Sequence, residues 1–413
     1  MQNILESARH SAVLQVCESK AVDTLSYSVA KSLMYPGELA TQKFKIDSTA
    51  IASGFTTGGS FAVDVPQWGL LRRAFLCFQL KNTRINAATD GAVNNFTPSL
   101  YGGVLAFQRI VLQTASGNVI STLYPDIIMH KMLQRPDASK LMVAAGAATV
   151  VAATAGGALS SFFYCPLLFD IFDHPSTWLD CLTLEPLQLV FYSKSVGQWG
   201  AVGTNANVTL NSSKLVLYYA MPNPERHNLM LEAKHPSGQS FNSISFNNFA
   251  EAAVSIAAGV TVASIQMYCS SPIYRTIIAI RSQADVTGGA LQRLNALTDL
   301  NSVKVSDSGN VLYESNHLEC ALENGVVSYS ADGASGMAYV VINWGLVNEL
   351  DPDQRRSITA VSLYQMSNPI VELNFADNII ARRIEILHQT LQAVSVSASP
   401  NNRNRQITVL SDR

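Results

Sequence analysis

The chain reads as an all-β protein made of two similar β-sandwich halves in tandem. Three observations predict this. Its 413 residues exceed what one sandwich needs and suffice for two cores. After Pro36 it breaks into short β-rich runs punctuated by Gly, Pro, Asn, Asp and Ser, the pattern of a sandwich or barrel. Landmarks of the first half also return, in order, in the second.

The elements follow in sequence. From Met1 to about Leu33 a helical arm is expected. Ile4, Leu5, Ala8, Ala12 and Val16 recur at helical spacing, and no Gly or Pro precedes Pro36. Such an arm packs on its own domain or reaches a neighbour or a membrane surface. Phe61-Ala-Val63-Asp-Val65 then alternates with period two, and Ala74–Leu80 is a buried strand-like run. Arg109–Gln113 leads through the hairpin signal Ser116-Gly117-Asn118 into Val119-Ile120. Ser161–Leu168, Leu182–Tyr192 and Lys214–Ala220 complete the first half. Pro222, Pro224, Pro236 and Gly238 mark a linker, with one short helical turn expected at Leu229–Ala233. The Asn- and Arg-rich tail contains Ile407-Thr-Val-Leu410, which stays flexible or adds a strand to a neighbour. The expected organisation is an arm over 1–35, a first unit over 36–221, a linker over 222–240, a second unit over 241–395 and a tail over 396–413.

The repeat is the most informative feature. Ser116-Gly-Asn-Val119 reappears as Ser308-Gly-Asn-Val311, with the glycines 192 residues apart. The strand opening at Pro186 has a counterpart opening at Pro369, 183 residues on. Lys214–Tyr219 matches Arg383–His388 at a spacing of 169, and Arg73–Phe78 resembles Arg275–Ile280 at 202. Phe162–Cys165 and Ala338–Val341 occupy similar places in the order. Single matches of this kind are near chance level, but their shared order points to a duplicated unit. The spacing shrinks where the first copy carries the Ala/Gly-rich Leu141–Leu159 stretch.

Composition narrows the function. Charged residues make up 14% of the chain, against about 25% in average soluble domains, which suits faces covered by neighbours. The net charge of −2 offers no overall basic excess for wrapping nucleic acid. No two of Cys17, Cys77, Cys165, Cys181, Cys269 and Cys320 are within fifteen residues, so metal or redox Cys-x-x-Cys spacing is absent. Cys77, Cys165 and Cys269 read as buried small hydrophobes, and a reducing compartment fits. Met1–Leu14 carries Glu6, Arg9 and His10 and lacks the apolar core of a signal peptide. Leu141–Leu159 is uncharged, but it is rich in Ala, Gly and Thr, which suits a loop or packed crossing better than a membrane span.

Catalytic patterns are thin. Gly54, Gly58 and Gly59 lie in a Ser/Thr stretch expected to turn, with no GK[ST] after it. Asp170, Asp173, His174 and Asp180 form the densest cluster of metal-ligating types, in a loop where such residues ordinarily cap backbone groups. His227 and His235 flank the linker as solvated side chains, and no GxSxG occurs. The sequons at Asn95, Asn207 and Asn211 read as incidental without a signal peptide. Of Trp68, Trp178, Trp199 and Trp344, Trp68 and Trp344 adjoin strands and read as core or interface anchors, with a sugar-stacking platform as the alternative. No catalytic residue, cofactor site or metal site is assigned.

The chain also resembles a family. An opening strand at Phe44-Lys-Ile46, a long core strand in Gly69–Leu80, a strand and hairpin from Phe107–Gln113, and the Ala/Gly-rich run before Phe162–Pro166 follow the order seen in double jelly-roll major capsid proteins of tailless icosahedral viruses. The likeness spans about Thr41–Gln392 and rests on order, not on a short motif. It implies two tandem jelly rolls standing upright in a shell and a homotrimer of pseudo-hexagonal outline tiling an icosahedral facet. It further implies an N-terminal arm at the inner face near any internal membrane, and partners among neighbouring capsomers and minor or penton proteins. The expected place is the virion, after synthesis in host cytoplasm, with no catalysis and no sequence-specific nucleic acid. Other readings are a minor capsid, spike or adhesin-type sandwich, and a carbohydrate-binding or carbohydrate-active sandwich. These predict, respectively, a distinct receptor domain or secretion signal, and a carboxylate pair or aromatic platform.

Overall fold

The computed structural model describes residues 26–28, 40–47, 55, 57–86, 94–99, 101–133, 150–172, 177–221, 240–283, 300–316, 318–320, 339–344, 360–376, 380–397 and 404–410. The first half holds β1 (Ser26–Ser28), β2 (Ala40–Asp47), β3 (Thr57–Val65), β4 (Leu70–Arg84), β5 (Asn95–Pro98), β6 (Phe107–Thr114) and β7 (Val119–Leu123). Helix α1 (Pro125–Leu133) follows, then β8 (Val151–Ala152), β9 (Ala158–Pro166), β10 (Thr177–Asp180), β11 (Leu187–Ser195), β12 (Gly200–Val202) and β13 (Ala206–Met221). The second half holds β14 (Phe241–Ala250), β15 (Val254–Ile256), β16 (Val262–Gln266), β17 (Ile273–Ser282), β18 (Leu300–Asp307) and β19 (Asn310–Asn316). It ends with β20 (Tyr339–Asn343), β21 (Pro369–Phe375), β22 (Arg382–Val396) and β23 (Ile407–Val409).

The two halves share one topology. In the first, the sheet β2–β13–β4–β9 packs on β3–β11–β6–β7. In the second, β14–β22–β17–β20 packs on β16–β21–β18–β19. Replacing each strand of the first half by its counterpart in chain order reproduces the second, so the chain is a double jelly roll. Every landmark pair read from the sequence falls on equivalent strands. Both hairpins carry a glycine at φ near 90°, Gly117 and Gly309, a conformation other residues adopt only with strain. Both also shift register at the same step, Leu112/Gln113 and Val305/Ser306, a β-bulge at one conserved point of the repeat. One pairing is sharpened. Phe75 stands opposite Val216, and Ile277 opposite Leu387, two residues from the 169-residue spacing read in the sequence.

Burial follows the pleat. On β4, Ala74, Leu76, Phe78 and Leu80 enter the first core, with Arg73, Phe75 and Gln79 on the outer face. Trp199 is fully buried there, with Phe78, Phe96 and Phe163 edge-on to its ring at 5.6–6.4 Å, geometry the aromatic quadrupole favours. A Cβ at Gly102 would stand 2.8 Å from that indole, so glycine is required for the helical turn to close over it. Burying one such aromatic contributes about 3 kcal/mol, the top of the side-chain range.

Several local expectations are corrected. Within the segment read as helical, Ser26–Ser28 is a strand paired with Thr177–Leu179; residues 1–25 and 29–33 lie outside the described residues. Gly58 and Gly59 belong to β3, not to a turn. Strand pairing with β11 and the hydrogen bonds of Ser193 Oγ to Gly59 N and O hold them there. The linker 222–239, with the turn read at Leu229–Ala233, lies outside the described residues. Of the Leu141–Leu159 stretch, 150–159 form β8, a turn and the start of β9. No described helix is long and apolar enough to cross a membrane.

Candidate functional site: the seam between the rolls

The second roll docks on the first through the face of the β14–β22–β17–β20 sheet that points away from its own core. Ile278, Ile280, Ile384 and Ile386 fill the second roll, whereas Ile277, Ala279, Tyr339, Val341 and Leu387 join the first roll's core cluster. Covering both faces explains the unbroken apolar run Ile277–Ile280, since a strand buried on one side only would alternate.

Strand β7 meets β14 at the edge of this seam. Ser245 Oγ and Gln392 Nε2 donate to Ile120 O at 2.9 and 2.6 Å. Asn247 Oδ1 accepts from Thr122 N at 2.7 Å, and Asn248 Nδ2 donates to Thr122 O. The second roll's side chains thus satisfy a strand edge that would otherwise be left bare.

A charged network lies beside it. Pro125 occupies the first position of α1, where its missing N–H costs nothing, and Asp126 follows in the positive first turn. Asp126 Oδ1 accepts from Arg281 Nη2 and from the Tyr339 hydroxyl at 2.9 Å. Arg281 Nη1 also reaches Glu385 Oε2 at 3.0 Å. Asp126, Arg281 and Glu385, with Lys194, Glu251 and Arg383, line a 460 Å³ cleft shared by both rolls. Burial, then the nearby Arg281, pulls Lys194 down to about 8 against the opposing pull of Asp126 and Glu385. Burial raises the Tyr339 phenol well above its ordinary value, so it donates at any physiological pH. Further along, Lys131 Nζ pairs with Asp170 Oδ1 at 2.6 Å. His130 is buried edge-on to Tyr339 at 6.0 Å, and its Nε2 finds no hydrogen-bond partner among the described residues. Burial, then Arg275, drives the His130 pKa down to about 3, so it is neutral near pH 7.

The tail closes the seam. Instead of adding to a neighbour, β23 pairs with β22 of its own chain. Before it, Arg405 bridges to the first roll. Glu185 N donates to Arg405 O, Arg405 N to Thr183 O, and Ile407 N to Glu185 Oε1 at 2.7 Å. The Ile407 side chain is fully buried in the shared core.

The residues weighed as ligands have structural partners. Asp170 takes Lys131, and Asp180 caps Leu182 N at 3.0 Å and Thr183 Oγ1 at 3.1 Å. Asp173, His174, His227 and His235 lie outside the described residues. Among the described residues no group of three His, Cys, Asp or Glu side chains is placed to hold a metal. Trp178 and Trp199 are buried, Trp344 Nε1 donates to Thr276 Oγ1 at 2.8 Å, and Trp68 is 45% exposed. The Asp126–Arg281–Tyr339 network was missed from the sequence. Its one signal was Arg281, a charge set directly after the apolar run Ile277–Ile280.

No protein-family model matches the chain, and no curated protein does. Solved structures match its fold nearly end to end. The PBCV-1 virus capsid shares 12% identity at a TM-score of 0.64, covering 92% of this chain and 98% of that one. The Faustovirus major capsid protein shares 9% at 0.61, covering 86% and 90%. The STIV MCP shares 11% at 0.52, covering 86% and 97%. At these identities the likeness is one of fold: the double jelly roll.

Proposed function

We propose that this chain is a major capsid protein, a structural subunit with no catalytic step that self-assembles into pseudo-hexameric trimers tiling an icosahedral shell. One observation carries the reading: a nearly complete two-roll match to capsid subunits, with the rolls locked into one block by a continuous core, a buried ion network and a strapping tail. A shell subunit needs that rigidity, because an angle that wandered between the rolls would spoil the lattice. The low charge fraction supports extensive neighbour contacts. In this reading the chain divides into an arm over 1–35, rolls over 36–221 and 241–395, a linker over 222–240 and a tail over 396–413. The arm faces the shell interior and any membrane there. Partners are further copies and minor or penton proteins, in the virion, after synthesis in host cytoplasm. Light scattering on purified protein tests it. A particle of three times the 44.6 kDa chain mass, or closed shells, is expected; a monomer under all conditions overturns it.

A further inference from the structure

The cleft at the seam holds donors that its own carboxylates do not satisfy. Its walls come from both rolls: Lys194 of β11 and the start of α1 from the first, Arg281, Arg383 and Glu385 from the second. The carboxylates there are engaged. Asp126 accepts from Arg281 and from Tyr339. Glu385 accepts from Arg281 Nη1 at 3.0 Å and from Arg383 Nε at 2.9 Å. Glu251 Oε1 accepts from Tyr268 N and hydrogen-bonds His388 Nε2, both at 2.6 Å.

What remains is positive. Arg281 commits both Nη nitrogens to Asp126 and Glu385, while its Nε is buried and finds no hydrogen-bond partner among the described residues. A buried donor in that state costs free energy until an acceptor meets it. The first turn of α1 opens on the cleft through Pro125 and Asp126 and adds the positive end of a helix dipole. Lys194 shows the same shortage of negative charge. Burial, then Arg281, outweighs the opposing pull of Asp126 and Glu385 on its amine. The rest of the wall is apolar, with Leu105, Ala250, Ala253 and Leu387. At 460 Å³ the space falls within the range of about 300–1,000 Å³ ordinary for small-molecule sites.

We propose that the cleft binds a small organic anion, with its carboxylate or phosphate head on Arg281 Nε and Lys194 and its apolar body along Leu105 and Leu387. Arg281 belongs to the second roll and Lys194 to the first, so the bound anion ties the two together and stiffens the seam. The site is independent of the capsid reading, because every group in it belongs to one chain.

Isothermal titration calorimetry on the full chain tests this with octanoate, octyl phosphate and 1-octanol. At least one of the two anions is expected to saturate with a Kd on the order of 1 mM or below, and at least about 10-fold tighter than 1-octanol; the tighter anion identifies the head. Two variants place the site. Ala253→Trp fills the exposed mouth without touching an ion pair, and Lys194→Met removes a cation from the head. Each is expected to weaken binding by about 10-fold or more. Circular dichroism melting checks that both stay folded, and if Lys194→Met unfolds, Ala253→Trp alone decides. The site is wrong if neither anion saturates, if 1-octanol binds as tightly as the anions, or if Ala253→Trp leaves the affinity unchanged.

Discussion

Removing the Asp126 carboxylate gives the sharpest probe of the seam. In Asp126→Ala, Arg281 keeps only Glu385 and the Tyr339 hydroxyl loses its acceptor. Both groups stay inside, for the Arg281 side chain is 4% exposed and Tyr339 is buried. An orphaned buried hydroxyl costs about 1–3 kcal/mol, and breaking a buried ion pair about 3–5 kcal/mol. The two overlap, so about 3–5 kcal/mol is expected in total. At a slope of about 3 kcal/mol per molar urea, that lowers the unfolding midpoint by roughly 1–2 M. The assay is urea unfolding followed by circular dichroism and tryptophan fluorescence. The second roll's Trp344 should change with or before the first roll's Trp199 once the rolls uncouple. Adding Arg281→Met to Asp126→Ala should remove little further stability, because the charge left without its partner is then gone. A midpoint shift under about 0.3 M, or full additivity of the two substitutions, refutes the assignment of the network as the polar lock of the seam.

Other outcomes follow from the same geometry. His130 is held near a pKa of about 3 by burial against about 6.5 unfolded. The unfolded chain therefore binds the proton first, and stability falls as pH drops from about 6.5 toward 3, by at most about 5 kcal/mol; urea midpoints at pH 7.5 and 4.5 check this, and His130→Phe should flatten the slope. Ile407→Ala should cost about 2–5 kcal/mol and increase proteolysis of the tail, seen by limited digestion and mass spectrometry. Gly117→Ala and Gly309→Ala should each destabilise by about 1–2 kcal/mol, with similar melting shifts, because both hairpins need the same left-handed backbone.

The repeat was legible because the turn chemistry is local. A Ser-Gly-Asn-Val hairpin and a proline at a strand start write their geometry in four residues. The core was legible for the same reason, as in the alternation of Phe61–Val65 or the apolar run from Ala74. What the chain hid is non-local. Ser26–Ser28 has no intrinsic claim to be a strand and becomes one because β10 offers an edge. Gly58 and Gly59 look like a turn until Ser193 fastens them from 134 residues away. Asp126 gave no sign of its importance, because its partners Arg281 and Tyr339 lie more than 150 residues distant. The tail's preference for its own chain depended on the position of Glu185, which sequence spacing does not encode.

The central claim, that two locked rolls form a building block with six-fold outline from three copies, is tested most directly by negative-stain imaging of the purified protein. The account predicts class averages with three-fold symmetry and six lobes, one per roll. Isolated two-lobed particles at every concentration, or rings of another order, would contradict it.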